Sequence, residues 1–406
     1  MDHRVKRFLH RAVWQRLPRA LRRSLLIRAT TMLAPRPTPA PPASDRIIVA
    51  GYLTACSGLG ESARLCYEAL RDSKRPVSGI DLSSLMIQGD DRQDFRFVDG
   101  RQEHGPASLM LHVNAPWVPL ALASLGRRFV QDKRIIGCWN WELPEVPDEW
   151  QTARTLVHEV WAGSRFTADA IARKMPGLKV RVVHYPVAVA NAASPFLRQP
   201  HDPFVVLVIF NVTSSFARKN PIAAINAFRT AFGDDPTARL VVKATYIDRH
   251  LSACSALQAA TKGAGNIEII ARPYTPQEMD TLYRRADVVL SLHRSEGFGL
   301  VLAEAMLRGI PVVATGWSGT VDFHSADNGM PVRYALTPAV DPQGEYDLPS
   351  LNWADPDVQE ASEKLRQLRN DPELRQRLGR NAQRDALAFF SKARYLAKVH
   401  DILDAS

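Results

Sequence analysis

The sequence predicts an α/β protein with two doubly wound, Rossmann-like domains. Three observations predict this fold. The chain has 406 residues, about the length of two domains, and 46% of them are apolar, enough for two cores. Short apolar segments alternate with helix-forming segments, as a parallel sheet with covering helices requires. A glycine-rich segment follows the first apolar segment, as in nucleotide-binding α/β folds.

The first domain is predicted to contain four well-marked strands, at residues 47–53, 108–113, 134–139 and 179–185. Ser57, Gly58 and Gly60 open a helix that runs to Leu70, and Asp81 ends the next strand. These features form a variant of the dinucleotide-binding pattern, so a dehydrogenase is one hypothesis. Residues 54–57 make the turn longer than that pattern allows. The glycines therefore either bind a ligand or serve only helix–sheet packing.

The second domain alternates more regularly. We predict strands at residues 204–211, 238–244, 266–271, 286–292 and 311–315, and helices at 221–232, 251–261, 276–285 and 300–308. A loop rich in Pro and Asp then leads to helices at 355–370 and 372–387 and a last segment that ends at 403. The predicted divisions are an arm and Pro-rich linker (1–43), a first domain (44–197), a second domain (198–385) and a C-terminal helix (386–406).

The positive charge of the chain is concentrated at its start. The net charge is +10, of which residues 1–34 carry +8 and Arg36 one more. The remainder is nearly neutral, which excludes a general nucleic-acid binder. Val5, Phe8 and Leu9 begin an apolar series at helical spacing, typical of a basic helix on an anionic membrane surface. A solvated helix, or one that docks on a partner protein, is the alternative.

The arm is predicted to be neither a signal peptide nor a membrane span. Its apolar run, residues 25–27, is too short for a signal, and the longest run in the chain is only residues 204–210. The four cysteines show no metal-ligand spacing and are interpreted as reduced thiols. We therefore expect a cytoplasmic protein that can bind peripherally to the inner face of the plasma membrane.

The most informative segment is residues 293–304, between a predicted buried strand and a buried helix. Gly297 and Gly299 allow the backbone to approach a ligand, and the helix that begins at Leu300 offers unpaired N–H groups to an anion such as a diphosphate. Glu304 lies within an apolar helix and needs a partner, for which a ribose diol is suitable. The alternative is that an Arg or a backbone amide satisfies Glu304, and that Glu296 is only a loop charge.

A basic pair, Arg218 and Lys219, stands before the helix predicted at 221–232. Cations at a helix start oppose the helix dipole, so a bound anion would explain them. Two surface charges are the alternative. The turn at residues 315–320 either adds amides near the phosphates or sugar or is simply a tight turn. Trp139 and Trp141 at a strand end either form a sugar-stacking platform or pack in the core.

The segment SEGFGLVLAEAMLRGIPVVAT, residues 295–315, resembles the E-x7-E region of the retaining glycosyltransferases of family 4. Residues 139–144 (WNWELP) and 159–171 are similar to a subset associated with bacterial surface polysaccharides. The resemblance implies a GT-B fold, in which two Rossmann-like domains face each other across a cleft. It also implies that the terminal helix crosses back to the first domain.

The resemblance further implies the role of each candidate residue. Glu296 contacts the sugar hydroxyls, Glu304 holds the ribose, and Arg218 and Lys219 neutralise the leaving diphosphate. The amides of Phe298 to Leu300 face the diphosphate and the sugar. The donor-binding set is Glu304, Gly297, Phe298, Gly299, Leu300, Arg272, Gly58, Gly60 and Asn114.

The sequence departs from the family pattern at two of its positions. Asn114 replaces a sugar-contacting histidine, and Asn211 replaces a frequent Asp. Asn114 can still bond a sugar hydroxyl but cannot carry a proton. Arg272 lies where relatives cradle the base, largely by backbone.

We therefore expect a retaining transferase that moves a sugar from a nucleoside diphosphate donor, such as GDP-mannose or a UDP-sugar, to a hydroxyl of a glycan or lipid-linked acceptor. Asp355 and Asp357 are predicted to lie in a late loop and are not interpreted as a metal motif, so no metal cofactor is expected. The alternatives are a GT-B sugar-nucleotide epimerase, a non-catalytic sugar-nucleotide-binding protein, which Asn114 suggests, and the dehydrogenase.

Overall fold

The structure is a computed structural model that describes residues 19–85, 93–189 and 203–405, with side chains from Leu25 onward. The predicted amphipathic segment at residues 5–17 and the predicted division between residues 197 and 198 lie outside the described residues. The first described helix is α1 (Arg19–Leu33), which packs on a helix of the first domain.

The first layer of the molecule is a six-stranded parallel sheet with strand order β2-β1-β3-β4-β5-β6. Its strands are β1 (Ile47–Gly51), β2 (Val77–Asp81), β3 (Ala107–His112), β4 (Lys133–Trp139), β5 (Glu159–Ala162) and β6 (Val180–Val182). Its helices are α2 (Gly58–Arg71), α3 (Val118–Leu125), α4 (Arg127–Val130) and α5 (Arg165–Lys174). β1, β3 and most of β4 are buried, as expected of strands covered on both faces.

The second sheet is also parallel and six-stranded, with strand order β12-β11-β10-β7-β8-β9. Its strands are β7 (Phe204–Asn211), β8 (Ala238–Thr245), β9 (Ile267–Ile270), β10 (Val288–Ser291), β11 (Val312–Thr315) and β12 (Met330–Val332). Between them lie α6 (Phe216–Lys219), α7 (Pro221–Phe232), α8 (Leu251–Thr261), α9 (Pro276–Arg284) and α10 (Leu300–Leu307). The predicted α/β class with two doubly wound sheets is confirmed.

An antiparallel hairpin occupies a region that the sequence predicted to be a loop. It consists of β13 (Tyr334–Ala339) and β14 (Leu348–Pro356). Asp355 therefore lies in a strand and Asp357 caps the following helix, so their assignment to a loop was wrong. Pro338 and Pro356 concealed the strands, because proline is tolerated in a two-stranded ribbon, where each strand has a free edge.

Three helices end the chain: α11 (Val358–Asn370), α12 (Pro372–Phe389) and α13 (Lys392–Asp404). The predicted division between residues 385 and 386 falls inside α12. Tyr395, Val399 and Ile402 of α13 are buried, and α13 packs on α2 of the first layer. Ion pairs join Lys392 to Asp72 and Asp404 to Arg75. The last helix thus contacts the first layer of the molecule.

Candidate active site

The loop that carries Glu296 leaves the carboxyl end of β10, a central strand of the second sheet. Gly299 ends this loop with φ +101° and stands directly before α10. A Cβ at Gly299 would lie 2.6 Å from Thr320 Cγ2, so both the space and the backbone conformation require glycine there. Leu300 begins α10 at this strand end, as the sequence predicted.

Glu296 is held by the predicted basic pair. Lys219 Nζ lies 2.5 Å from Glu296 Oε1, and Arg218 Nη1 lies 3.3 Å from Oε2. Burial opposes ionisation of this carboxyl, but the charges of Lys219 and Arg218 outweigh it and lower the pKa of Glu296 to about 2. The structure therefore brings the three predicted catalytic residues together as an ionised cluster.

Arg218 and Lys219 belong to the end of the short helix α6, not to the first turn of α7. This corrects the sequence interpretation, because Asn220 adopts a left-handed conformation that separates the two helices. Arg218 is 2% exposed and donates to the carbonyls of Ser295 at 2.7 Å and Ser214 at 2.8 Å. The negative charge opposite the pair is Glu296.

The turn after β11 positions the backbone of Glu296. The amide of Glu296 donates to Ser318 Oγ at 2.8 Å, and the amide of Gly319 donates to the Glu296 carbonyl at 2.9 Å. Ser318 has φ +71°, a left-handed conformation. The sequence did not decide whether this turn binds the phosphates or sugar or is only a tight turn. The observed hydrogen bonds of the turn position the Glu296 backbone, and nothing in the local sequence indicated them.

Gly297 lies where the two layers of the molecule meet. Its carbonyl accepts hydrogen bonds from Ser164 Oγ at 2.5 Å and Thr167 Oγ1 at 3.3 Å, both at the start of α5. The ring of Phe298 is buried against Tyr185, with 4.9 Å between the ring centroids. The side chain of Phe298 is therefore a packing group, and only its backbone is available for the predicted role.

Glu304 lies part-buried on α10 near Tyr283, whose hydroxyl donates to the Val301 carbonyl at 3.5 Å. Burial raises the pKa of Glu304 to about 6, against the effects of Tyr283 and the nearby Arg308. Glu61, at the start of α2, adds to the rise. No hydrogen bond or ion pair from a described residue reaches the Glu304 carboxylate, so the partner that the sequence required is not found among the described residues.

The two glycines that open α2 differ in their surroundings. A Cβ at Gly60 would lie 2.5 Å from the Ala55 carbonyl oxygen and 2.6 Å from that of Tyr52. Nothing lies within 4 Å of a Cβ at Gly58. Packing therefore accounts for Gly60, whereas Gly58 leaves open space.

Asn114 and Asn140 form part of the scaffold at the carboxyl ends of β3 and β4. Asn114 Oδ1 accepts the amide of Asn140 at 2.9 Å, and Asn140 Oδ1 accepts the Tyr185 hydroxyl at 2.9 Å. Trp139 and Trp141 are buried and pack against Trp150. The two tryptophans therefore belong to the core and do not form a sugar-stacking platform.

Arg272 and Asp81 make their contacts elsewhere. Arg272 follows the edge strand β9, stacks over Tyr274 and pairs with Glu278 at 2.6 Å. It makes no hydrogen bond or ion pair with the Glu296 cluster. Asp81 accepts hydrogen bonds from Thr54 and Ser83, so its carboxylate is engaged within its own loops, against the dehydrogenase hypothesis.

Two residues beside the cluster were not predicted as site residues. Glu142 follows β4, and the hydroxyl of Tyr346, from the hairpin loop, donates to Glu142 Oε2 at 2.7 Å. The Arg218 guanidinium lies 5.1 Å from the centroid of the Tyr346 ring. The WELP segment was a sequence signal for Glu142. Tyr346 had none, because the hairpin itself was not predicted.

Other features were sought across the described ranges. Within them, no helix is long and apolar enough to span a membrane, and no group of three or more His, Cys, Asp and Glu residues could hold a metal ion. A cavity of about 460 Å³ lies between α2, α10 and α12, near Leu65, Leu307 and Phe390. No predicted site residue lines it.

A sequence model described as family 4 glycosyltransferase in conflict systems matches residues 163–390, more than half of the chain. The chain belongs to this family. The match covers α5, the whole of the second sheet with both predicted glutamates, and the hairpin. The first sheet lies almost entirely outside it.

Sequence similarity to a characterised relative is limited to part of this family 4 protein. The chain is 29% identical over 160 residues to D-inositol 3-phosphate glycosyltransferase of Salinispora arenicola. That match covers 39% of this chain and 32% of the relative.

Solved structures share the fold. HepE of Anabaena, crystallised with UDP and glucose, has a TM-score of 0.61 at 15% identity, over 89% of this chain and 100% of HepE. A glycosyltransferase from Rickettsia africae gives 0.61 at 13% identity, over 89% and 97% of the two chains. S. aureus TarM gives 0.55 at 13% identity, over 73% of this chain and 55% of TarM. The GT-B fold, which the resemblance implied, is thereby confirmed.

Proposed function

We propose that the protein is a retaining glycosyltransferase that moves a sugar from a nucleoside diphosphate donor to an acceptor hydroxyl. The observation that carries this proposal is the cluster of Glu296, Arg218 and Lys219 at the carboxyl end of β10. A buried cluster of one anion and two cations has a net positive charge, which attracts a diphosphate. It lies at the strand end where ligands bind in such sheets.

In the proposed reaction, Arg218, Lys219 and the amides of residues 297–300 stabilise the negative charge that develops on the leaving diphosphate. Glu296 exchanges part of its contact with the cations for the sugar hydroxyls as the donor enters. The Glu304 carboxylate accepts hydrogen bonds from the hydroxyls of the ribose.

A UDP-sugar is the donor that we favour over GDP-mannose. HepE and TarM, which share the fold, were crystallised with UDP. The base would lie against residues 271–274, as in the sequence interpretation. Arg272 would contribute mainly its backbone there, because its side chain is already paired with Glu278.

A thermal-shift screen of UDP-, GDP- and ADP-sugars tests donor binding, because a ligand that binds the folded state raises its apparent stability. We expect Glu296→Ala to abolish transfer and Glu304→Ala mainly to weaken donor binding. Full turnover by Glu296→Ala would contradict the assigned roles. Isomerised donor in the absence of acceptor would favour the epimerase, and donor binding without transfer or hydrolysis would favour a binding protein.

The acceptor that we propose is a glycan or lipid-linked glycan at an anionic membrane surface. Helix α1 buries Ile27 and Thr30 but leaves Leu25, Met32 and Leu33 exposed, close to the basic arm. Exposed apolar groups next to cations are typical of peripheral membrane binding. Flotation with anionic liposomes should recover the full chain but not a variant that lacks residues 1–42. Equal recovery of both would contradict this part of the proposal.

A further inference from the structure

Glu142 reaches the Glu296 loop from the opposite layer of the molecule. It lies three residues beyond the end of β4, at the carboxyl edge of the first sheet. A Cβ at Gly297 would lie 3.4 Å from Glu142 Oε1 and 3.1 Å from the Trp141 carbonyl oxygen. The Glu142 carboxylate therefore lies against the residue that follows Glu296.

The two oxygens of Glu142 have different surroundings. Oε2 accepts the hydroxyl of Tyr346 at 2.7 Å, whereas no hydrogen bond from a described residue reaches Oε1. The side chain is only part-buried, so Oε1 is accessible to an incoming group. In contrast, both oxygens of Glu296 are held by cations. Of the two carboxylates, Glu142 is the one with an oxygen available for a further hydroxyl donor.

The charged groups that face Glu142 are Arg218 and Lys219 of α6 and Glu296 of the β10 loop, and the titratable hydroxyl of Tyr346 in the hairpin loop faces it as well. Burial raises the pKa of Glu142, Glu296 adds to the rise, and Arg218, Tyr346 and Lys219 oppose it. The pKa of Glu296, by comparison, is lowered. Neighbouring carboxylates with pKa values moved in opposite directions commonly have separate roles in acid–base chemistry.

We propose that Glu142 is the carboxylate that binds and deprotonates the acceptor hydroxyl. This inference rests on the proposed transferase function. Oε1 accepts the hydrogen bond of the hydroxyl and takes its proton as the new bond from the acceptor oxygen to the anomeric carbon forms. The bond from that carbon to the diphosphate oxygen breaks on the same face of the sugar, which retains the anomeric configuration, and its electron pair leaves with the diphosphate.

Tyr346 is a positioning residue in this scheme. Its hydroxyl fixes Oε2 of Glu142, and its ring lies beside the Arg218 guanidinium. It thus links the group that meets the acceptor to a cation proposed to meet the diphosphate. The same scheme assigns no proton transfer to Asn114, whose Oδ1 is engaged by the Asn140 amide.

The test compares Glu142→Gln with wild type and with Glu145→Gln, an exposed glutamate of the same segment. The Glu142→Gln side chain keeps an oxygen for the Tyr346 hydroxyl but cannot take a proton. We expect kcat for donor turnover, by transfer or by hydrolysis to water, to fall by about 100-fold or more, the usual size of a lost general base. Donor affinity should stay within about threefold, and Glu145→Gln should match wild type.

The pH profile separates proton transfer from a structural role. A base must be ionised, so wild-type kcat should fall as the pH drops through the raised pKa of Glu142, and Glu142→Gln should lose this acidic limb. In a Glu142→Ala variant, added formate should restore part of kcat. Tyr346→Phe should move the acidic limb while retaining more activity than Glu142→Gln.

Two outcomes overturn the inference and are distinguishable. Wild-type protein that binds no nucleotide sugar would overturn the proposed function and this inference with it. The second outcome is that wild type turns over donor and Glu142→Gln has a kcat within about threefold of wild type with the same pH profile. This would overturn the inference alone, since a lost general base lowers kcat much further.

Discussion

Glu296 and Glu304 lie eight residues apart, yet their surroundings move their pKa values in opposite directions. The cations of α6 lower the pKa of Glu296 to about 2, whereas burial raises that of Glu304 to about 6. In the ligand-free protein near neutral pH, the charge of Glu296 stabilises the fold and the charge of Glu304 opposes it. This difference can be measured without any substrate.

For Glu304 we expect the Gln variant to be more stable than wild type. A carboxyl whose pKa is raised on folding favours the native state below its unfolded value, about 4.5, and this contribution is lost as the pH rises through about 6. Glu304→Gln should therefore gain about 2 kcal/mol of unfolding free energy at pH 8 and almost none at pH 4. Urea denaturation measures this, with exposed Glu68→Gln as control. A loss of stability at pH 8 would contradict the burial argument.

Glu296 should show the reverse dependence on pH. Because its folded pKa is about 2, its contribution is present above the unfolded value and is lost as the pH falls from about 4.5 towards 2. Between pH 6 and pH 3, wild type should lose about 2 kcal/mol more unfolding free energy than Glu296→Gln. Denaturation curves at both pH values measure the difference, and exposed Glu363→Gln should behave like wild type. Parallel losses in wild type and Glu296→Gln would mean that the ion pairs do not hold in solution.

At the scale of the element, the start of α2 shows that Gly58 and Gly60, separated by one residue, are glycines for different reasons. The sequence could not choose between ligand binding and packing for this pair. The carbonyls of Tyr52 and Ala55 surround only Gly60.

Alanine at these two positions separates the two roles. Gly60→Ala should lower the unfolding free energy by about 1–3 kcal/mol, the usual range for overpacking. Gly58→Ala should change stability by less than about 0.5 kcal/mol, because its Cβ meets open space. Thermal unfolding gives both values. Weaker nucleotide binding by a fully stable Gly58→Ala would assign a binding role to this position, and equal destabilisation by the two changes would contradict the packing argument.

At the scale of the whole molecule, α13 covers part of the first layer from the far end of the chain. Cys66 of α2 is 2% exposed, its side chain contacts Tyr395 of α13, and burial raises its thiol pKa to about 12. Each ion pair at the rim of this contact has at least one exposed partner and contributes little. The apolar residues of α13 therefore provide most of the attachment.

Removal of residues 392–406 should expose the Cys66 thiol. In a background with Cys56→Ser and Cys254→Ser, we expect its reaction with a thiol reagent to accelerate at least about tenfold, which corresponds to about 1.4 kcal/mol of lost protection. Circular dichroism verifies that the shortened chain remains folded, and Cys66→Ser identifies the reacting thiol. An unchanged rate in a folded, shortened chain would show that α13 does not cover Cys66 in solution.

The amino-acid sequence by itself determined the two parallel sheets except for strands β5 and β12, the limits of most helices of the second domain, and the cluster-forming residues Glu296, Arg218 and Lys219. Periodicity, glycine positions and runs of apolar residues are local signals, and strand ends of parallel sheets converge on one edge. Only the tertiary structure decided that Glu296 pairs with both Arg218 and Lys219, that Gly60 serves packing, and that Glu142 and Tyr346 lie beside this cluster. The contacts of Glu296 with Lys219 and of Glu142 with Tyr346 connect residues 77 and 204 positions apart. No local pattern records such pairs, because each depends on how two layers and a hairpin are brought together.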